Sequence, residues 1–162
     1  MFEKIVIVDS TGLRPWAIQG LRKFARQVDV YGDIPENNKV LVKRIADAEG
    51  VLVSYNTRID REVIEACPSI RYIGMCCTLY SEQSANVDVV AAREHGIMVT
   101  GICDYGDEGV VEYVISELVR LLHGFGKQRW RDEAYELTGL KVGIIGLGRT
   151  GSMIAKGLKF LG

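Results

Sequence analysis

The stretch Val142-Gly143-Ile144-Ile145-Gly146-Leu147-Gly148-Arg149-Thr150-Gly151 contains the pattern G-x-G-x-x-G at the end of a short apolar run. Residues Lys141–Ile145 predict a strand, and residues Arg149–Leu161 predict the opening of a helix. The glycines alone are weak evidence, but a strand before them and a helix after them is the context in which this pattern binds a dinucleotide. The sequence therefore predicts a Rossmann-type strand-to-helix turn at this point of the chain.

Each glycine of this turn has a physical role. Gly146 allows the sharp turn after the strand, Gly148 lets the backbone approach a pyrophosphate, and Gly151 lets the helix pack closely against the strand. The helix N-terminus offers N–H groups and a positive dipole end to the phosphates, and Arg149 adds charge. The alternatives are a turn that binds nothing and one that binds another adenosine-containing cofactor. The acidic residue that holds the ribose hydroxyls, about 20 positions further on, would fall beyond Gly162.

Composition excludes several classes of function. The 162 residues carry a formal net charge of -1, with 25% charged and 48% hydrophobic residues, so nucleic acid and acidic membranes are not expected partners. No apolar run approaches the ~20 residues that a membrane helix needs. The four cysteines show no C-x-x-C spacing and only two histidines accompany them, so we expect no metal site and a reduced, cytoplasmic protein.

Short apolar runs rich in Val and Ile alternate with segments of helical period in the first hundred residues. These runs are Ile5–Val8, Val28–Tyr31, Val51–Val53, Ile70–Gly74 and Ile97–Val99. Strands without polar alternation, separated by amphipathic helices, are typical of a parallel sheet covered on both faces. Residues 1–100 therefore predict a complete doubly wound α/β domain of the flavodoxin-like type.

The pattern changes after residue 100. Gly101–Gly106 predicts a connector, and residues 108–125 predict one long helix with Asp107 as its N-cap and Gly124 as a stop signal. Residues 127–139 are polar and predict a surface loop. One strand and one helix leave apolar faces uncovered. We therefore expect this part to be the start of a Rossmann domain that a longer chain completes.

Three motifs in the same order resemble those of the D-isomer-specific 2-hydroxyacid dehydrogenase family, and the likeness runs from Met1 to Gly162. They are Leu137–Gly148 leading into the fingerprint, Asn86-Val87-Asp88 followed by Ala91–Ile97, and Tyr105, Glu108, Val110 and Glu112 at a helix start. The resemblance implies an oxidoreductase that transfers a hydride between NAD or NADP and the C2 of a small 2-hydroxy or 2-keto acid. It also implies a homodimer, a substrate-binding domain over residues 1–100, and the beginning of an NAD(P)-binding domain over residues 101–162.

Site residues follow from the resemblance by position. The cofactor-binding set is Gly146, Gly148, Arg149, Thr150, Gly151 and Val110, of which Val110 would pack on the nicotinamide ring. The substrate-binding set is Cys77, Thr78, Leu79 and Tyr80, in which the backbone of Thr78 and Leu79 would bind the substrate carboxylate. Ligands of parallel α/β sheets bind beyond the carboxyl ends of the strands. The loops expected there are Asp9–Gly12, Ser54–Thr57 and Met75–Tyr80, the last of which we interpret as following the central fourth strand.

The sequence also departs from the family pattern. Leu79 stands where the family usually has glycine, and extra residues near Ser81–Ala85 lengthen the same loop. The other replacements are Gly101, Cys103 and Asp104 for Asn, Pro and Gly, and Gly106-Asp107 for Ser-Thr. An acidic residue at position 107 opposes the binding of a cofactor phosphate nearby.

No catalytic residue is assigned to this chain. The family's catalytic Arg, Glu and His follow the fingerprint at a distance, so the 162 residues alone are expected to be inactive. His95, before a turn glycine, and His123, near a helix C-terminus, have ordinary structural explanations. We interpret Cys76 and Cys77 as small apolar packing residues, although a redox or nucleophilic pair is the alternative. The alternative function is a non-catalytic nicotinamide-sensing protein, or an assembly fragment, on the same scaffold.

Overall fold

The computed structural model describes residues 1–103 and 105–162, which fall into two compact units, Met1–Cys103 and Asp104–Gly162. The first unit ends just after the last strand of a sheet, because that strand extends through Ile102. Asp104, one of the departures from the family pattern, lies outside the described residues.

Strands and helices alternate along the first unit. Its elements are β1 (Phe2–Ile7), α1 (Pro15–Leu21), β2 (Ala25–Val30), α2 (Asn38–Ile45), β3 (Gly50–Val53), α3 (Arg61–Ala66), β4 (Tyr72–Thr78), α4 (Val89–Glu94) and β5 (Met98–Ile102), with a 3-10 turn (Glu82–Ser84) before α4. Asn37, Asp60 and Asp88 cap helices α2, α3 and α4 by accepting a backbone N–H of the first turn. These caps explain why each helix starts where it does.

The sheet is parallel throughout, in the order β2-β1-β3-β4-β5. This is the flavodoxin-like order, so the predicted fold class is confirmed. One interpretation was wrong: β3 is the central strand, whereas β4 lies between β3 and β5. Strand order depends on pairing between distant segments, which the local pattern of the chain does not contain.

The core lies between one face of the sheet and helices α2–α4. Its fully buried members include Val6, Val51, Val53 and Ile73 on the strands, Val8 directly after β1, and Leu41, Ile45, Val63, Ile64, Ala91 and Ala92 on the helices. On the opposite face, Leu21 of α1 lines a cavity together with Ile5, Leu52 and Tyr72. Both faces therefore bury apolar strand residues, but most of the helical cover is on one of them.

Strands β4 and β5 are longer than the sequence predicted. The two strands pair again at Thr78 and Ile102 beyond a register shift that follows Gly74. Residues 75–78 are thus strand and not loop, and Gly101 is a strand residue and not part of a connector. The prediction ended too early because glycine and cysteine give little local preference for a strand, and pairing supplies it instead.

The second unit contains helices α5 (Asp107–His123) and α6 (Arg149–Phe160). The helices pack closely, since a Cβ added to Gly157 of α6 would lie 2.9 Å from Ile115 Cδ1 of α5. Gly124 ends α5 in the left-handed region, as predicted. The predicted strand at residues 141–145 does not form, because a strand needs a paired neighbour and no described residue pairs with this segment.

The N-cap of α5 differs from the prediction. Gly106, at φ 72°, occupies the cap, and Asp107 is the first helical residue. The carboxylate of Asp107 accepts hydrogen bonds from residues of α6 instead of capping its own helix.

None of the helices in the described part of the chain combines the length and apolar character needed to cross a membrane.

Candidate functional site

The glycine turn before α6 has the geometry that its pattern predicts. Gly146 has φ +93°, a conformation that other residues rarely adopt, and a Cβ on Gly151 would lie 2.0 Å from the carbonyl oxygen of Gly146. Gly148 is different, because its φ is an ordinary -69° and an added Cβ would meet no atom within 4 Å. The folded backbone therefore requires glycine at 146 and 151. It does not require glycine at 148, where an added side chain would point into open space that a ligand can approach.

Three further residues were predicted to bind the cofactor: two lie at the start of helix α6 and one lies on α5. Arg149 and Thr150 are the first two residues of α6, and both donate a hydrogen bond to the carboxylate of Asp107. Val110, one turn further along α5, is half exposed. The second unit thus brings the glycine turn, Arg149 and Thr150 together with an acidic residue at one helix N-terminus.

At the carboxyl edge of the first unit's sheet, the buried carboxylate of Asp9 joins the ends of β1 and β3. It accepts the backbone N–H of Ser54 at 2.9 Å, the Ser54 hydroxyl at 2.7 Å and the Thr57 hydroxyl at 2.5 Å. Asp9, Ser54 and Thr57 are all almost completely buried. A buried charge requires such partners, so this network fixes the loop after β3. The sequence predicts that these loops lie at one edge, but it does not show that Asp9 links them.

The Asn86-Val87-Asp88 motif has a structural explanation. The Asn86 amide donates to the carbonyl oxygens of Ser54 at 2.8 Å and Thr57 at 2.5 Å, and its oxygen accepts the Cys77 thiol at 3.4 Å. Val87 is buried in the core, and Asp88 caps α4. The motif therefore ties the loop after β3 to the end of β4, next to the substrate-loop candidates.

The substrate-loop candidates Cys77 and Thr78 end β4, and Leu79 and Tyr80 follow it. The backbone N–H of Leu79 donates to the Ile102 carbonyl at 3.3 Å, and its carbonyl accepts the Cys103 thiol at 3.1 Å. The side chain of Leu79 packs against the core, whereas Tyr80 is largely exposed. The loop beyond them forms the 3-10 turn, closed by a capping box between Ser81 and Ser84.

Two departures from the family pattern compensate for each other in space. A Cβ on Gly101 would lie 2.3 Å from Leu79 Cβ, 3.2 Å from Leu79 N and 3.3 Å from Cys77 O. Leucine at 79 therefore requires glycine at 101, so two replacements that are separate in the sequence are coupled in the structure.

Gly101→Ala is expected to destabilise the first unit by about 2 kcal/mol, because overpacking forces Leu79 and the end of β4 to move. Leu79→Gly loses the packing of Leu79 against the core but relieves its clash with a Cβ at 101. The double variant should therefore lose less stability than the sum of the two single variants, a favourable coupling energy that a double-mutant cycle measures by urea unfolding. Gly20→Ala, at an open position in α1, is the control and should not lower the unfolding midpoint. Additive effects of the two substitutions at 79 and 101 would contradict the compensation.

The adjacent cysteines are held as neutral thiols. Burial, with the charge of Asp9 as a second cause, raises the pKa of Cys76 to about 11. The same two causes raise the pKa of Cys77. A nucleophilic or redox cysteine needs a lowered pKa, so the interpretation of this pair as packing residues is favoured.

The two histidines have local roles. His95 Nδ1 lies 2.9 Å from the carbonyl oxygen of Ala91, one turn back in α4. The His123 ring stacks on Phe125 at 5.5 Å, beyond the end of α5. These contacts account for both rings without an acid–base function.

The strand order β2-β1-β3-β4-β5 defines a doubly wound α/β domain, and the second unit adds a glycine turn that leads into helix α6. A sequence model described as D-isomer specific 2-hydroxyacid dehydrogenase, catalytic domain, matches residues 5–153. Hydroxypyruvate reductase of Blautia hydrogenotrophica is 30% identical, over 98% of this chain and 53% of its own length. The chain belongs to the D-isomer specific 2-hydroxyacid dehydrogenase family.

Solved structures agree on the fold. The NAD+-bound 3-phosphoglycerate dehydrogenase of Entamoeba histolytica has a TM-score of 0.69 and 24% sequence identity, and the match covers 100% of this chain and 52% of that one. An acyclic imino acid reductase in complex with NADPH and D-Arg has a TM-score of 0.74 and 23% identity, with coverage of 98% and 53%. The chain therefore spans about half the length of the relatives that it matches.

Proposed function

We propose that this chain contributes the substrate-binding domain (residues 1–100) and the beginning of the NAD(P)-binding domain (residues 101–162) of a 2-hydroxyacid oxidoreductase. The proposed reaction transfers a hydride between NAD or NADP and the C2 of a small 2-hydroxy or 2-keto acid. The observation that carries the proposal is the open space in front of Gly148, within a turn that Gly146 and Gly151 hold in shape. The family membership of the chain supports the same conclusion.

The residues of the turn fit a dinucleotide. Gly148 leaves room for the pyrophosphate, and the amides of Arg149 and Thr150, at the N-terminus of a helix of 12 residues, would donate to its oxygens. Val110 would pack on the nicotinamide ring, which supplies or accepts the hydride when bound. In the first unit, the backbone of Thr78 and Leu79, with Cys77 and Tyr80 beside it, would hold the substrate carboxylate. The Leu79 amide makes a long hydrogen bond of 3.3 Å, which a carboxylate can replace.

The reactions for which two relatives are named support a small 2-keto acid as the substrate. Besides the hydroxypyruvate reductase, a glyoxylate reductase of Pyrococcus horikoshii is 28% identical over 82% of this chain. We propose a substrate of this kind, and a homodimer as the assembly, on the family resemblance. We also propose that residues 1–162 alone bind the cofactor without turnover, because the family's catalytic Arg, Glu and His have no counterpart in this chain and His95 and His123 have local contacts that explain them.

The test is a calorimetric titration of the chain with NADH and NADPH, together with an assay of NADH oxidation in the presence of glyoxylate or hydroxypyruvate. Saturable binding without oxidation is the expected result. Failure to bind either nucleotide would overturn the cofactor proposal, and turnover by these residues would overturn the proposed inactivity. Binding without turnover in the full-length protein would favour a nicotinamide-sensing role.

A further inference from the structure

Asp107 places a nearly buried carboxylate at the N-terminus of helix α6. Its side chain is 10% exposed, and its two oxygens have different donors: Oδ2 accepts Arg149 Nε at 2.9 Å, and Oδ1 accepts Thr150 Oγ1 at 2.5 Å. These donors are the first two residues of α6, directly after the glycine turn. The carboxylate thus engages the two side chains nearest to the proposed pyrophosphate position.

A helix N-terminus attracts one negative charge, and a second anion close by is repelled by the first. Burial of the carboxylate strengthens this repulsion, because solvent screens a buried charge less than an exposed one. In this chain the first charge is already present as Asp107. A pyrophosphate that binds the turn must therefore approach the carboxylate or draw Arg149 and Thr150 away from it.

We infer that Asp107 is a positioning residue that holds Arg149 and Thr150 and thereby lowers the affinity of the glycine turn for pyrophosphate-containing nucleotides. This inference rests on the proposed function, because it assumes that a dinucleotide binds at the turn. It assigns a role in cofactor affinity to a residue outside the glycine pattern. It also explains how an acidic residue is accommodated here: Arg149 and Thr150 satisfy both of its oxygens in the absence of ligand.

Asp107→Asn removes the charge and keeps the shape of the side chain, and Asp107→Ser removes the charge and keeps a short hydroxyl. Both variants are expected to bind NADH about tenfold more tightly than the unmodified chain, and inorganic pyrophosphate with a gain in the same direction. Glu108→Gln is the matched control, since it removes the same charge from the next, exposed residue of α5. Its affinity should change by less than about twofold, because an exposed charge is screened.

The measurements are calorimetric titrations of all four proteins, with circular dichroism melts to show that each variant is folded. Equal or weaker NADH binding by the folded Asp107 variants, with the unmodified chain binding normally, would overturn this inference and leave the proposed function intact. An equal gain in Glu108→Gln would also overturn it, since the effect would then be one of net charge. Absence of NADH binding in every protein would overturn the proposed function and this inference with it.

Discussion

Gly148→Ala is expected to weaken NADH binding by about a hundredfold or more while leaving the thermal unfolding of the chain unchanged. Stability should not change, because a Cβ added to Gly148 meets no protein atom within 4 Å and the residue has an ordinary φ of -69°. The methyl group would instead occupy space that the pyrophosphate needs. If the pyrophosphate binds at Gly148, substitution there should be tolerated in folding and not in binding.

Two other glycines serve as comparisons for this result. Gly151→Ala is expected to lose both binding and stability, by about 3 kcal/mol, because its Cβ would lie 2.0 Å from the carbonyl oxygen of Gly146. Gly143 precedes the turn, and a Cβ added to it also meets no atom within 4 Å. Gly143→Ala should therefore change neither NADH binding nor stability. Calorimetric titration with NADH measures binding by the three variants, and circular dichroism melts measure their stability. Unimpaired NADH binding by Gly148→Ala would show that the nucleotide does not approach this turn.

The fold was predictable from the sequence to the extent that it depends on local pattern. Apolar runs such as Ile5–Val8 and Val51–Val53 located buried strands, and the G-x-G-x-x-G pattern located the start of α6. Strand order and strand ends were not predictable, because they depend on pairing between distant segments. The extension of β4 to Thr78, for example, requires Ile102 as its partner.

The candidate site shows the same division. Gly146 has the positive φ that a sharp turn requires, and Gly151 lies against the carbonyl oxygen of Gly146, because both features arise within a single turn. The coupling of Leu79 with Gly101, and the contact of Asp107 with Arg149, join residues far apart in the chain. For Asp9 a signal did exist: a carboxylate directly after the buried run Ile5–Val8 must find donors inside the protein. The sequence contains that requirement but does not identify Ser54 and Thr57 as the donors.

Asp9→Ala is expected to destabilise the first unit by about 3 kcal/mol, the largest effect on stability that we predict for that unit. Alanine leaves the buried N–H of Ser54 and the hydroxyls of Ser54 and Thr57 without their acceptor. Asp9→Asn should cost less, because the amide oxygen still accepts one donor and the hydroxyls can rotate. Glu36→Ala, at an exposed position of the same unit, should leave the unfolding midpoint where it is.

The position of Asp9 also matters for the candidate site. It joins the carboxyl ends of β1 and β3, which are neighbours in the sheet at the point where the strand order reverses and where ligands of this fold bind. Hydrogen exchange followed by mass spectrometry should therefore show a larger increase in exchange in Asp9→Ala for peptides covering β1 and residues 54–57 than for peptides covering α4, which report destabilisation of the same unit as a whole. Unchanged exchange at residues 54–57, together with a loss of stability, would mean that Asp9 supports the core and does not fix this loop. Faster exchange there would make the buried carboxylate the group that holds the carboxyl edge in shape for a substrate.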